Sequence, residues 1–592
     1  MRVLTLLLYT TTVLAGLQGP VYPAPRDLSS RSSLVAATWK NVTTALEQTF
    51  KGGGLGEETA VLLKHTTFSA GMFSLHDRGA QSLQYHHTAA SSLNGSVGVK
   101  KVDADSIYRI ASVSKLFTVY AGMIELDEKD WDRPLTDIFP PFKQFVEKAA
   151  KGFDPVHDVQ WDKITVGDIA AHIGGLPRGG IPFDGDLLVQ AVQSHSIPKR
   201  WGLPSLNLTK ELARYPCAEY EDMEKCTALQ YAQGTAANPP VYAPGTSPIY
   251  SNNGFILLGH TLSKLSGKSL DDLYHDTIFK PLGLKDTLSN APTDPAVLKR
   301  SVVAGDPAAS FAIKSGITKS SGGLFSTIND LAKVGTSILN STLLPADKTR
   351  RWMKPVSFTS DLRYAAGRPW EIYRHVHPSG VVTDIYTKLG DSGYYTGLLA
   401  LLPDFGVGFS ILGASPHATR SAAVQLVADL IADTVIPALM DQAKNEALDN
   451  FAGTYAPKDK RFNTTLTLSV PTSAKSPPGL VVSQWISDGA DLTALLPKGL
   501  METSGIRLVP TIQDGAGSGQ VAFRAATLNK PGPISGHLFS KLYDVEDWTS
   551  TLDMLTYGGL DLAEFVFHVD RKTGKADAVT PSAYRAKLGR RK

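Results

Sequence analysis

The stretch from Ser112 to Ile124 constrains the fold of this chain more than any other. Its apolar side chains repeat at helical spacing, at Leu116, Tyr120, Met123 and Ile124. This period predicts a largely buried helix that opens near Ser112. Positions three apart share a helix face, which places the Ser112 hydroxyl beside the Lys115 amine. Burial of a lysine lowers its pKa toward a value suited to proton transfer.

Ser112 and Lys115 together have the parts of an activated serine nucleophile. A serine at a helix N-terminus also lies beside free backbone N–H groups and the positive end of the helix dipole, which favour a developing negative charge. The alternative is an ordinary helix N-cap followed by a solvated lysine. A second Ser-x-x-Lys match, Ser196–Lys199, contains Pro198 and does not suit a helix interior.

Composition describes an ordinary globular protein with room for several domains in its 592 residues. Hydrophobic residues make up 42% and charged residues 19% of the chain. The net charge of +3 and the lack of a long basic stripe give no reason to expect a nucleic-acid partner.

The N-terminus resembles a secretory signal peptide over residues 1–15. Arg2 precedes an apolar run from Val3 to Leu14, and Ala15 supplies the small residue before cleavage. This run is too short to span a membrane, and no later membrane span is predicted. We therefore expect a secreted, extracellular protein.

Two further features fit an oxidising secretory compartment. Five sequons predict glycosylation at Asn41, Asn94, Asn207, Asn340 and Asn463. The chain has two cysteines, Cys217 and Cys226, which are close in sequence and predict one local disulfide.

The chain divides near residue 448. Residues 16–448 alternate helical and strand patterns, with strands expected at 60–75, 81–87, 381–390, 398–402 and 407–412. A segment rich in proline and glycine, 178–240, interrupts them and predicts an insertion or lid. Residues 449–592 alternate short strands with turn residues, which predicts a small antiparallel barrel or sandwich.

A second constellation is Tyr250 with Asn252. Residues two apart in an extended loop project to the same side, so both side chains can enter one cleft. A tyrosine beside a cation can exchange a proton as general acid and base, and an asparagine amide can orient the lysine and the substrate. The alternative is a plain turn with a helix cap ahead of Gly254.

The third constellation is Lys388, Gly390 and Asp391, near a predicted strand end. Lys388 would supply positive charge to the phenolate or to a substrate carboxylate. Gly390 leaves room for a ligand, and the Asp391 N–H could complete an oxyanion hole with that of Ser112. A competing match, 314–316, is not followed by a strand-turn-strand pattern.

In this order, Ser112-x-x-Lys115, Tyr250-x-Asn252 and Lys388-x-Gly390 resemble the three motifs of the serine β-lactamase and penicillin-binding protein superfamily. The tyrosine version is similar to class C β-lactamases, D-aminopeptidases and related esterases and transesterases. The resemblance covers about residues 60–440, with flanking likeness at 165–177, 281–287 and 322–331. The chain is also similar to fungal secreted members with a lipocalin-like C-terminal domain, through the opening 453–455.

The resemblance implies an α/β (α+β) fold, with an antiparallel sheet flanked by helices and an all-helical subdomain, followed by the small barrel. It implies an acyl-enzyme on Ser112, no cofactor and no metal, and a small ester, amide or lactam substrate. Two departures count against efficient antibiotic hydrolysis. Leu389 replaces the usual threonine or serine, and the insertion lies where the substrate mouth should be.

Other enzyme classes fit the sequence less well. His172 and Ser392 echo the motifs of chymotrypsin-like proteases, but His172 lies in a helical pattern and Tyr394 replaces the expected glycine. The paired histidines at 86–87 and 375–377 lack a zinc-like spacing of further ligands. A β-lactamase-like scaffold that only binds remains an alternative, as does acyl transfer at the same site.

Overall fold

The computed structural model describes residues 19–93, 97–179, 202–204, 206–219, 225–306, 311–459, 463–472, 476, 478–494, 506–512, 518–527 and 556–591. The predicted signal peptide, Asn94 and much of the 178–240 segment lie outside these residues.

Eight antiparallel strands form the main sheet, in the spatial order β2-β1-β8-β7-β6-β5-β4-β3. In chain order they are β1 (Thr67–Ser74), β2 (Gln84–His87), β3 (Ser357–Phe358), β4 (Tyr364–Ala366), β5 (Glu371–Val376), β6 (Val382–Ser392), β7 (Tyr395–Leu402) and β8 (Val407–Ala414). Every residue of β1, β7 and β8 is buried, because both faces of the sheet centre are covered.

Five long helices frame this sheet: α1 (Leu34–Phe50), α2 (Ser114–Glu125), α3 (Asn252–Ser266), α4 (Ile328–Leu339) and α5 (Arg420–Phe451). Shorter helices are Glu57–Leu63, Ala90–Leu93, Leu135–Ile138, Lys143–Ala149, Val166–Ala170, Leu208–Leu212, Ala228–Ala236, Leu270–Tyr274, Lys280–Leu282, Pro295–Leu298, Lys319–Gly322 and Ala346–Trp352. One core packs α1 and α5 against the sheet. A second core joins α4, α2 and α3 into the helical subdomain.

The expected strand at 60–75 is partly wrong. Residues Glu57–Leu63 form a helix, and the strand begins only at Thr67. Two acidic residues in the first turn suit the positive end of the helix dipole, and Leu63 alone is buried from this helix. The three strands at one end of the sheet, β3, β4 and β5, were not predicted, because their residues lack a clean apolar alternation and several are exposed.

The C-terminal part is a closed eight-stranded antiparallel barrel, which confirms the predicted small barrel. Its strands are Gly453–Ala456, Thr465–Ser469, Leu480–Ser487, Ile506–Ile512, Gln520–Thr527, Glu564–Val569, Ala576–Pro581 and Leu588–Arg590. Pairing of Thr465–Ser469 with Leu480–Ser487 closes the circle. Aromatic side chains fill the interior, namely Tyr455, Trp485, Phe523, Phe565 and Phe567.

The helix α5 connects the two parts of the chain. Val424, Val427 and Ile431 of α5 lie in the core under the main sheet, whereas Ala447 and Phe451 lie in the barrel core. Within the described residues, α5 is the one helix long and apolar enough to cross a membrane, with a mean hydropathy of 1.6 over its most apolar window. Its buried apolar residues lie in these two cores, whereas Leu448 near its end is exposed.

The described part of the 178–240 segment is more regular than its composition indicates. It contains the helices Leu208–Leu212 and Ala228–Ala236 and the predicted disulfide between Cys217 and Cys226, with 5.4 Å between the two Cα atoms. A reciprocal capping box of Thr227 and Gln230 starts the second helix. That pattern is readable in the sequence, but the surrounding proline and glycine content obscured it.

Candidate active site

Ser112 lies in a tight turn, Ala111–Val113, immediately before α2. Ala111 adopts a left-handed φ of 46°, a conformation that costs a non-glycine residue about 1–2 kcal/mol. Ser114 stabilises this turn, because its hydroxyl donates to the Ala111 carbonyl at 2.7 Å and accepts the Leu324 N–H at 3.0 Å. The strained turn sets the direction of the Ser112 side chain at the opening of the helix.

Lys115 is fully buried one helical turn from Ser112. Its Nζ donates to Ser112 Oγ at 3.0 Å, to Asn252 Oδ1 at 2.7 Å and to the Ser321 carbonyl at 2.5 Å. These three acceptors match the three donors of an ammonium group. Burial lowers the pKa of Lys115 to about 8, with the Tyr250 hydroxyl opposing that shift. Lys115 can therefore exchange a proton near neutral pH.

Tyr250 enters the site from the loop before α3. Its hydroxyl donates to Ser112 Oγ at 2.7 Å. Burial alone would raise the pKa of Tyr250, but the ammonium groups of Lys115 and Lys388 outweigh burial and lower it. Ser251 caps α3 by accepting the Gly254 N–H at 3.0 Å, so the cap and the cleft readings of this segment both hold. The turn that starts the helix also delivers Tyr250 and Asn252 to Ser112.

Lys388 lies on β6 and is fully buried behind Tyr250. Its Nζ is 5.3 Å from the centre of the Tyr250 ring, and it donates to the Glu371 carboxylate at 2.5 Å and to the Leu389 carbonyl at 2.7 Å. Burial opposes the charged form of Lys388, but Glu371 prevails and raises its pKa. Lys388 therefore holds a fixed positive charge beside Tyr250. The competing Lys314 is exposed.

Gly390 passes directly against the Ser112 turn. A Cβ at this position would lie 2.5 Å from the Ile110 carbonyl oxygen and 2.6 Å from the Ser112 nitrogen. No side chain fits there, so β6 runs alongside the backbone of Ser112. The next residue, Asp391, directs its carboxylate to Arg420 at 2.8 Å and to the Thr396 hydroxyl at 2.6 Å.

Two further residues contact this group: Glu371, which no sequence motif indicated, and His172, which the sequence indicated only through the protease-like match. Glu371 on β5 binds both Lys388 and, at 2.7 Å, the Leu389 N–H. The His172 ring stacks on Tyr250 with 4.6 Å between ring centres and accepts the Ser251 N–H at 3.1 Å. Burial and the two neighbouring ammonium groups hold the pKa of His172 well below its usual value, so the ring is neutral.

A cavity of about 610 Å³ opens over Ser112. Its described lining includes Ser112, Tyr250, Asn252, Glu371, Leu389 and Asp391. Among the described residues, no three histidine, cysteine, aspartate or glutamate side chains are grouped to hold a metal ion. The structure thus brings four predicted residues, Ser112, Lys115, Tyr250 and Asn252, into one hydrogen-bonded cluster at the floor of the cavity. Asp391 also lines the cavity, whereas Lys388 and Gly390 are buried behind its lining residues.

A beta-lactamase family model matches residues 84–434, more than half of the chain. The chain belongs to the beta-lactamase family. A second model, for the C-terminal domain of beta-lactamase-like proteins, matches residues 443–592, which include the barrel. The chymotrypsin-like alternative is therefore wrong. His172 follows a short helix of the beta-lactamase domain and contacts the Tyr250 segment.

Known relatives of this beta-lactamase family member include fungal proteins. It is 28% identical to a beta-lactamase-like protein of Arthroderma benhamiae, over 72% of this chain and 68% of the relative. It is 25% identical to a probable hydrolase of a Phoma species, over 99% of this chain and 95% of the relative. Among solved structures, one that resembles this chain is a D-amino acid amidase from Ochrobactrum anthropi SV3. The match covers 68% of this chain and 99% of the amidase chain, with 18% sequence identity and a TM-score of 0.46.

Proposed function

We propose that this protein is a secreted serine hydrolase that cleaves an ester or amide through an acyl-enzyme on Ser112. The observation that carries the proposal is the double hydrogen bond to Ser112 Oγ, from Lys115 Nζ at 3.0 Å and from the Tyr250 hydroxyl at 2.7 Å. A nucleophile held between two groups whose pKa values are both lowered is prepared for proton loss. A protein that only binds ligands has no need of this arrangement.

Acylation follows from these contacts. In the reactive state Tyr250 is a phenolate, stabilised by the ammonium groups of Lys115 and Lys388, and it takes the proton of Ser112 as Oγ attacks the carbonyl carbon. The carbonyl oxygen becomes an oxyanion, which the backbone N–H groups of Ser112 and Asp391 would stabilise. The bond to the leaving group then breaks, and Tyr250 returns its proton to the departing oxygen or nitrogen.

Deacylation uses the same groups in reverse. Tyr250 removes a proton from a water molecule as that water attacks the ester carbonyl, and Ser112 leaves with the proton restored. An alcohol or amine in place of the water would make the same site an acyltransferase. The Phoma relative is named a probable hydrolase, which favours water as the acceptor.

Secretion is supported by the apolar N-terminus and by the exposure of the four sequon asparagines that the structure describes, Asn41, Asn207, Asn340 and Asn463. N-terminal sequencing of protein recovered from the culture medium tests the cleavage after Ala15. A mass decrease on treatment with an N-glycosidase tests the sequons. Retention of residues 1–15 in the mature protein would contradict secretion by this route.

Covalent labelling tests the enzyme assignment. A fluorophosphonate probe followed by peptide mass spectrometry should modify Ser112, and Ser112→Ala should abolish both labelling and ester hydrolysis. The matched control is Ser392→Ala, because Ser392 lines the same cavity and is exposed but has no role in the mechanism. Labelling at Ser392, or activity retained by Ser112→Ala, would refute the proposal.

A further inference from the structure

Two ion pairs stand on the β6 side of the cavity. Lys388 is paired with Glu371 at 2.5 Å, and Arg420 is paired with Asp391 at 2.8 Å. The Lys388 side chain is fully buried and that of Arg420 is 11% exposed, whereas the carboxylates of Glu371 and Asp391 are 18% and 41% exposed. Each cation is thus set deeper than its carboxylate.

Both carboxylates line the cavity, and neither cation does. Glu371 accepts the Leu389 N–H with its second carboxylate oxygen at 2.7 Å. This bond fixes the Glu371 carboxylate of β5 against the neighbouring strand β6. Asp391 accepts two donors of Arg420 and the Thr396 hydroxyl. A substrate on this side therefore meets the oxygens of two anchored carboxylates before it meets a positive charge.

Leu389 extends this pattern between the two pairs. Leu389 is one of the lining residues, but its aliphatic side chain packs partly against the core formed with α1 and α5 and offers no donor to a substrate anion. On the opposite rim, Arg178 lies with its guanidinium 5.3 Å from the centre of the Tyr250 ring and is itself engaged by other groups. Among the described lining residues, Arg178 is the one cation, whereas two residues carry carboxylates.

We propose that the site selects acyl substrates that carry no free carboxylate next to the scissile bond, and that Glu371 and Asp391 are the residues that determine this specificity. A substrate carboxylate placed here would face like charges in a partly desolvated cavity. Neutral esters and amides enter without this repulsion. The inference rests on the proposed function, since it concerns the substrate of the same nucleophile.

Two matched ester pairs test it. One compares meta-acetoxybenzoate with its methyl ester, so that the carboxylate is on the leaving group. The other compares para-nitrophenyl hydrogen terephthalate with its methyl ester, so that the carboxylate is on the acyl group. Values of kcat/KM are divided by the rate of each ester with hydroxide, which removes intrinsic reactivity. The wild type should favour the neutral ester by about tenfold or more in at least one pair.

Two variants should move this preference in opposite directions. Glu371→Gln removes one carboxylate and keeps a side chain of the same size, so the preference should fall about fivefold. Arg420→Gln leaves Asp391 without its cation, so the preference should rise. If Glu371→Gln fails to fold because Lys388 loses its counter-charge, the Arg420→Gln result still decides the question, because that pair is nearer the surface.

The outcomes separate the two levels of the proposal. Equal or faster hydrolysis of the carboxylate ester in both pairs overturns the specificity inference, and loss of that hydrolysis in Arg178→Gln would place an anion site on the opposite rim. An unchanged ratio in both Glu371→Gln and Arg420→Gln also overturns it. If Ser112 is not labelled by the fluorophosphonate and no ester is hydrolysed, the proposed function itself fails.

Discussion

The contact between Gly390 and the Ser112 turn gives the sharpest prediction, for Gly390→Ala. The added Cβ would lie 2.5 Å from the Ile110 oxygen, 2.6 Å from the Ser112 nitrogen and 2.9 Å from the Val113 nitrogen. Carbon atoms do not approach backbone atoms this closely. All three atoms belong to backbone, so no flexible side chain can move aside. The variant must push β6 and the Ser112 turn apart, or leave its methyl group against the Ser112 N–H.

Under the proposed mechanism, either response would weaken the stabilisation of the oxyanion. Loss of one oxyanion donor costs roughly 10²–10³-fold in rate, and overpacking of a buried site costs about 1–3 kcal/mol of folding free energy. We therefore expect Gly390→Ala to lower kcat for a neutral ester by about 100-fold or more, with a modest decrease in thermal stability. Stopped-flow hydrolysis and differential scanning calorimetry measure the two effects on the same preparation.

The matched control is Gly397→Ala, because Gly397 faces Gly390 in the strand register. Its added Cβ would lie 3.2 Å from a Leu412 methyl group and 3.3 Å from the Ile110 oxygen, a tight but adjustable contact. It should lose stability and retain most of the ester hydrolysis. Wild-type kcat in Gly390→Ala, or an equal loss of kcat in both variants, would refute the reasoning.

Four further predictions follow from the site and the disulfide. Tyr250→Phe should reduce kcat by about 100-fold or more while ester binding persists, and unchanged kcat would exclude Tyr250 as the proton carrier. If Tyr250 is the base, kcat/KM should fall as the pH rises through about 8, because Lys115 then loses the proton whose charge stabilises the phenolate. A value of kcat/KM that keeps rising through this pH range would identify Lys115 as the base instead. His172→Ala removes the ring stacked on Tyr250, so kcat should fall roughly tenfold with KM little changed. The folding control is His172→Asn, because asparagine tolerates the left-handed φ of 59° at this position. Cys217→Ser opens a short loop and should lower the unfolding free energy by about 2–3 kcal/mol, measured by urea titration; an unchanged midpoint would show that the bridge adds nothing.

Much of the local structure could be predicted from the sequence. The apolar period after Ser112 predicted α2, and the one-turn spacing of Ser112 and Lys115 is a property of any helix. Several C-terminal strands were readable because buried residues alternate with partly buried ones and turn residues follow, as in Glu564–Val569. In these segments the local preference and the final burial agree.

The contacts that the site residues make with distant segments could not be predicted from the sequence. Glu371 meets Lys388 only because β5 and β6 pair with Glu371 opposite Thr387, in a strand too irregular to be recognised from its own residues. His172 and Tyr250 are 78 positions apart in the sequence. In the fold the His172 ring stacks on Tyr250 and accepts the N–H of the next residue, Ser251. No local sequence pattern indicates either contact, because neither contact depends on the apolar periodicity of the segment that contains the residue.

By itself the sequence determined the candidate site residues and the elements that carry them: a serine and lysine one helical turn apart, a tyrosine before a helix cap, and a lysine and glycine on a strand. The tertiary structure alone decided which charges these groups meet, through the Glu371–Lys388 and Asp391–Arg420 pairs. The physical reason is the distance along the sequence over which each interaction acts. Helix caps and apolar periods depend on neighbours within a few residues, whereas a buried ion pair depends on strand register and packing, which the burial of the whole core determines.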